Sequence, residues 1–208
     1  MSADSSMKSP PRSAELRVGG LVRLSTCDWP GELVATVFCQ GCPWSCGYCH
    51  NQHLIAPSAA TEIEWPDVMS FLDSRRRLLD GVVFSGGEPT LQAALPEAMR
   101  EARALGFRIG LHTAGPYPER LAAVLPLVDW VGFDVKAAFS DYERITGVVG
   151  SGAKARASLM LVLESGIASD IRTTVPPALL DAAALAQLSA ELNALGLRDH
   201  RLQPFRAI

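Results

Sequence analysis

Residues 81–113 read GVVFSGGEPTLQAALPEAMREARALGFRIGLHT and carry a complete strand–helix–strand unit. Gly81–Ser85 (GVVFS) is a short continuous apolar run. Leu91, Leu95, Met99, Ala102 and Leu105 then recur at helical spacing, with Gly106 placed as a C-terminal cap. Phe107–His112 (FRIGLH) is the next apolar run. A run that is apolar throughout, rather than alternating, suits a strand covered on both faces, as in a parallel sheet.

The same unit repeats outward in both directions. Further strands are expected at Leu33–Cys39, Trp130–Val135, Ile171–Val175 and Arg201–Phe205. Helical stripes fall at Val68, Phe71, Leu72, Leu78 and Leu79, with Pro66 in the first turn, and at Leu121, Val124, Leu125 and Val128. Two more fall at Leu159, Val162 and Leu163, ended by Gly166, and at Leu185, Leu188, Leu192 and Leu195, opened by Asp181. Leu16–Ser25 (LRVGGLVRLS) reads as a short strand pair around Gly19-Gly20. Alternating strands and helices mean parallel α/β architecture. Six units fall short of the eight of a closed barrel, so the fold expected is a partial, open (β/α)6 barrel with parallel strands. Residues 1–14, rich in Ser and Pro, read as a disordered tail, and residues 15–208 as one domain.

Composition narrows the function classes. The 208 residues carry 19 Lys and Arg against 22 Asp and Glu, a net charge of −3, which argues against a protein whose main work is neutralising nucleic-acid phosphates. No apolar run approaches the roughly 18 residues that span a bilayer. The N-terminal MSADSSMKSPPRSAEL lacks an apolar signal region, so a cytoplasmic location is expected. Five cysteines without a secretory route make a disulfide framework a poor reading.

Three of those cysteines form Cys42-Pro-Trp-Ser-Cys46-Gly-Tyr-Cys49, a C-x3-C-x2-C loop directly after a strand. Three thiolates on one loop can hold three irons of a [4Fe–4S] cluster and leave the fourth open to a substrate. Zinc with His50 or His53 as a further ligand is a rival, but it leaves the other strand-end motifs unexplained. The segment Cys46 to His50 also matches the C-x-x-C-H haem attachment pattern, which requires export. A reactive thiol pair would not need three cysteines. Cys39, ending an apolar strand, reads as a buried small hydrophobe; Cys27 has no assigned role.

The remaining polar groups sit in phase at the strand ends. Gly86-Gly87-Glu88-Pro89 follows one strand, His112-Thr113-Ala114-Gly115 another. Asp134 and Lys136 flank Val135, so both leave their strand on one side. Arg172 and Thr174 mark the next strand and Gln203 the last. In β/α barrels such ends form the active face, so these groups should converge on one mouth. Glu88 could accept hydrogen bonds from an ammonium group. Arg75-Arg76-Arg77 reads as a solvated helix end.

Taken together, Asp28-Trp29-Pro30-Gly31, FCQGCPWSCGYCHN, FSGGEPTLQ, DVK with a following YERITG, RTTV and LQPF, in this order, resemble the radical S-adenosylmethionine (SAM) enzymes. Among these they are similar to the anaerobic ribonucleoside-triphosphate reductase activating proteins, from about Leu21 to Phe205. The resemblance implies a [4Fe–4S] cluster on Cys42, Cys46 and Cys49, with SAM as second cofactor. It implies Tyr48 near the adenine, and Gly86, Gly87 and Glu88 at the methionine ammonium. Asp134 and Lys136 would meet the ribose or carboxylate, with Thr113, Arg172 and Gln203 completing the pocket. Related activating enzymes often carry Asp-Thr-Asn-Gly where this chain has His112-Thr113-Ala114-Gly115, so a cation site that depends on the acidic residue is in question. The implied reaction is reductive cleavage of SAM to methionine and a 5′-deoxyadenosyl radical, which takes a hydrogen atom from a glycine of a partner glycyl-radical enzyme. An external donor such as flavodoxin or ferredoxin would supply the electron, and neither nucleic acid nor membrane is implied. A small-molecule substrate, such as a deazapurine precursor, and a non-catalytic iron–sulfur or zinc module are the alternatives. Asp28 and Trp29 are expected to help dock the partner's glycine loop, or else to form a structural turn with Trp29 packed against the barrel.

Overall fold

The computed structural model describes residues 12–61 and 63–206. One seven-stranded sheet runs in chain order, β1 (Val18–Ser25), β2 (Val34–Cys39), β3 (Gly81–Gly86), β4 (Arg108–Thr113), β5 (Trp130–Asp134), β6 (Ala168–Val175) and β7 (His200–Pro204). β1 is antiparallel to β2, and β2 to β7 are all parallel, the six-unit parallel series expected. Among the described residues no pairing joins β7 back to β1, so the barrel stays open on that side. The connecting helices are α1 (Trp65–Asp73), α2 (Leu95–Ala104), α3 (Pro118–Val124), α4 (Tyr142–Thr146), α5 (Ser151–Ser165) and α6 (Ala182–Ala194). A proline in the first turn starts α1, α2 and α3, where its missing N–H costs nothing. The Asp181 side chain caps α6 by accepting from Ala184 N–H at 2.8 Å.

The two faces of each strand go to different places. Val82 and Phe84 of β3, Ile109 and Leu111 of β4, and Val131 and Phe133 of β5 pack outward against the helices. Their neighbours point into the barrel, where Val34, Val83 and Trp130 surround Trp29. This double burial is why the strands read as unbroken apolar runs. Glycines at inward positions make the room: a Cβ on Gly110 would lie 2.9 Å from the Trp29 ring, and one on Gly132 would lie 2.7 Å from His112.

Two expectations are corrected. Leu16–Ser25 is not a strand pair around Gly19-Gly20; residues 18–25 form one strand that pairs along β2, with register irregularities on either side of Gly20–Val22. The first helical stripe stops at Asp73, and Leu78 and Leu79 belong to a tight turn in which Arg77 takes a left-handed φ of 64°. The tail read over residues 1–14 lies outside the described residues as far as residue 11. Ser13 belongs to a short 3-10 turn (Ser13–Glu15), where its hydroxyl donates to Glu101 at 2.6 Å on α2.

Candidate active site

The carboxyl ends of the parallel strands surround a cavity of about 640 Å³. Cys42, Cys46 and Cys49 line it from the loop after β2, with Tyr48 beside them. This loop is tied down along its length: Gly41 N–H donates to Leu54 C=O (2.7 Å), Cys42 N–H to Ile55 C=O (3.0 Å) and Ser45 N–H to Thr146 C=O (3.0 Å). Trp44 is buried beneath it, edge-on to Tyr142 with centroids 5.7 Å apart.

All three thiols are free. Burial pushes Cys42 up to about 12 and raises Cys46 as well, although Lys136 pulls Cys46 back down. Thiols held this way are inert until a metal displaces the proton. Among the described residues no three His, Cys, Asp or Glu side chains close around one point as a single ion requires. His50 is engaged elsewhere, stacked on Phe205 with centroids 5.1 Å apart and its Nε2 2.6 Å from the Arg206 carbonyl. Three thiols carried by one loop on one wall of the cavity fit a group bound through several metal atoms. Tyr48 fits a ligand beside it: its phenol oxygen is buried without a hydrogen-bond partner among the described residues, and its ring lines the cavity.

Gly86, Gly87 and Glu88 line the opposite wall. The glycines are demanded by the protein itself. A Cβ on Gly87 would lie 2.2 Å from the Gly41 carbonyl oxygen, and one on Gly86 would lie 2.4 Å from Cys39 N. Gly87 N–H donates to Cys39 C=O (2.9 Å) and Glu88 N–H to Gly41 C=O (2.8 Å), so this loop is zipped onto the cysteine loop. Glu88 is buried, and its carboxylate is already engaged. It accepts from Thr90 N–H (3.0 Å) and Oγ1 (2.5 Å), from Thr113 Oγ1 (2.8 Å) and from Ala114 N–H (3.1 Å). Burial raises its carboxyl while these donors oppose the shift. Glu88 thus links the ends of β3 and β4, and Thr113 is its partner there. The carboxylate expected to accept from an ammonium group is thus also a strut between the two strand ends, and it lines the cavity.

Asp134, Lys136, Arg172 and Gln203 form the third wall. Asp134 accepts from Arg172 Nε at 2.7 Å and pairs with Lys136 Nζ at 3.3 Å. Burial alone would raise the Asp134 carboxyl, but the two cations more than offset it and hold it well below the usual carboxylate range. Burial would lower Lys136, and Asp134 instead drives it well above its ordinary value. Lys136 Nζ also stands 5.9 Å over the Tyr48 ring. Sequence reading gave no role to Tyr142. It is fully buried, its hydroxyl accepts from Lys136 N–H at 2.9 Å, and its ring carries Trp44, so it props the charged wall and the cysteine loop together.

Asp28 lines the cavity and accepts from Thr36 Oγ1 at 2.7 Å. Trp29 does not face a partner: it is 5% exposed and stacks on Trp130 with centroids 5.5 Å apart, inside the barrel. His112 lies above that stack, its Nε2 2.7 Å from the Asp28 carbonyl and its Nδ1 3.1 Å from Ser85 Oγ. Burial, reinforced by Arg172, lowers it to about 4, so at neutral pH Nε2–H donates to Asp28 and Nδ1 accepts from Ser85. Cys27, Phe38, Asn51 and Arg206 also line the cavity and carried no sequence signal of it.

The three thiols, the glycine loop zipped onto them and the charge wall around Asp134 thus share one mouth of the open barrel. The chain belongs to the radical SAM superfamily, whose profile matches residues 36–182. Within it the chain groups with activating enzymes. It is 31% identical over 172 residues, 79% of this chain and 70% of the other, to a protein of Methanocaldococcus jannaschii described as a glycyl-radical enzyme activating enzyme. It is 28% identical over 172 residues, 79% of this chain and 71% of the other, to the pyruvate formate-lyase-activating enzyme of Clostridium pasteurianum. The fold matches that of anSMEcpe with bound AdoMet, with a TM-score of 0.60 at 16% identity, over 80% of this chain and 49% of that one. The cofactors of the family are a [4Fe–4S] cluster and SAM. The non-catalytic module is thereby set aside. Among the described residues no helix is long and apolar enough to cross a membrane.

Proposed function

We propose that this protein activates a glycyl-radical enzyme, most specifically an anaerobic ribonucleoside-triphosphate reductase, with flavodoxin or ferredoxin as electron donor. The observation that carries the reading is the 31% identity to an activating enzyme over 172 residues, in a chain whose superfamily match, residues 36–182, contains the three-cysteine loop and the Gly-Gly-Glu loop packed against it. The order of the remaining motifs supports the choice of reductase.

In this reading Cys42, Cys46 and Cys49 hold the cluster. Tyr48 offers its unpartnered phenol to the adenine side of SAM. The Gly86-Gly87 backbone, held by Glu88 and Thr113, receives the methionine ammonium. Lys136 and Arg172, pinned by Asp134, meet the carboxylate or ribose, with Gln203 at the rim. When bound, the cluster and SAM supply carbon-radical chemistry able to take a hydrogen atom from a glycine Cα. The chain's own work is to orient the cofactor and exclude competing reactions. His112, neutral and hydrogen-bonded at both nitrogens, contributes no charge at the floor of the cavity.

The test is anaerobic mixing of the reconstituted protein with SAM, a reductant and the reductase. A glycyl-radical EPR signal with matching 5′-deoxyadenosine is expected. Formation of 5′-deoxyadenosine without a protein radical on any glycyl-radical enzyme would favour the small-molecule reading.

A further inference from the structure

We propose that a small apolar pocket beside the mouth receives a bulky apolar side chain flanking the target glycine in the partner's loop. This rests on the activating-enzyme reading above. The pocket, about 170 Å³, is walled mainly by Gly19, Gly20, Leu21, Val22, Phe38 and Leu54, with Asn51 and His53 also lining it. Because β1 runs antiparallel to β2, its first residues lie at the mouth end: Val18 pairs with Cys39 and Gly20 with Phe38. Phe38 and Asn51 line both this pocket and the large cavity. A chain segment that brings its backbone into the cavity therefore passes the pocket's wall.

Gly20 is the decisive residue. Its neighbour Gly19 is required by packing, since a Cβ there would lie 2.4 Å from Gln40 and from Leu54. At Gly20 the nearest atoms to a Cβ would be those of the Phe38 side chain, at 3.6 Å, an ordinary contact, and its φ is not in the left-handed region. Neither backbone nor core calls for glycine at this position, and glycine inside a strand weakens it. What its absence of a side chain leaves is the pocket. The walls offer mostly aliphatic and aromatic carbon, and Val22 is 39% exposed there. The space suits one side chain and is far smaller than the cofactor cavity. A hydrocarbon side chain is what such a lining rewards.

The test uses the holoprotein with SAM and short fluorescent glycine-centred peptides that differ only at one flanking position, as Phe, Leu, Ser or Asp. Anisotropy should show the Phe or Leu peptides binding roughly tenfold or more tighter than the Ser and Asp peptides, as for an apolar group entering a hydrophobic pocket. Gly20→Val should erase that preference and Gly20→Ala, which adds only the tolerated Cβ, should reduce it. SAM affinity and iron content, read on the same samples, should stay as in the unmodified protein, and the melting temperature should not fall. Binding without apolar preference, or a preference that survives Gly20→Val, overturns the pocket and leaves the activating-enzyme reading standing. If no glycine-centred peptide binds and no protein radical forms, both fall together. A self-association of the unmodified protein that Gly20→Val abolishes, with unchanged peptide preference, would assign the pocket to a second copy of the chain and overturn the proposal.

Discussion

Replacing Trp29 by Ala separates a docking residue from a barrel plug. Trp29 is 5% exposed, stacks on Trp130 at an interplanar angle of 16°, and lies under the Arg108 guanidinium at 5.0 Å from its ring centre. Gly81 and Gly110 both abut it, so the surrounding strands are shaped around the indole and cannot close over its loss. Truncation of a buried Trp costs about 3–5 kcal/mol from lost transfer energy and the cavity left behind. At about 2–4 °C per kcal/mol for a domain this size, the melting temperature should fall by roughly 6–20 °C. Thermal unfolding of the apoprotein by circular dichroism reads this directly. Trp29→Phe should recover much of the loss by keeping a ring on Trp130. Partner-independent SAM cleavage, corrected for folded protein, should change little. A melting point within about 2 °C of the unmodified protein, joined to a selective loss of partner activation, would refute the plug and restore the docking role.

Three further outcomes follow from the same geometry. Cys42→Ala, Cys46→Ala and Cys49→Ala should each lose the reconstituted cluster absorbance, whereas Cys27→Ala and Cys39→Ala should retain it; loss in Cys27→Ala equal to that in Cys46→Ala would break the three-ligand assignment. Tyr142→Phe leaves the part-buried Lys136 N–H without its acceptor, a cost of about 1 kcal/mol, and should weaken SAM binding as the charged wall loosens; unchanged affinity by calorimetry would remove Tyr142 as the prop. His112 is lowered from 6.5 to about 4 by burial, so between those values the unfolded chain holds a proton that the folded one refuses. Its contribution is complete above about pH 6.5 and falls away as pH drops towards 4, by about 3 kcal/mol in all. Urea unfolding across that range should show a steeper loss in the unmodified protein than in His112→Gln, and parallel curves would contradict the buried neutral ring.

Much of this protein is legible in its sequence because the relevant signals are local. Apolar runs such as Gly81–Ser85, followed by helical stripes such as Leu95, Met99 and Ala102, define each β/α unit within some thirty residues. In a parallel series, chain direction alone sends every strand's carboxyl end to the same face. That is why Cys42, Gly87, Thr113, Asp134, Lys136, Arg172 and Gln203 could be assembled into one mouth before any contact was known, and why all of them line the same cavity. What local pattern does not encode is which groups meet across the barrel. Only packing puts the Asp28 carbonyl against His112, places Trp29 inside the strands, and turns Glu88 towards Thr113 and Ala114. Only packing shows that Gly86 and Gly87 are glycine for the sake of Cys39 and Gly41, while Gly20 is glycine for none of its neighbours. Periodicity is a property of a few successive residues and survives in one dimension. Contacts between residues many tens of positions apart depend on how the sheet coils, and that is decided by the volume and shape of every side chain filling it.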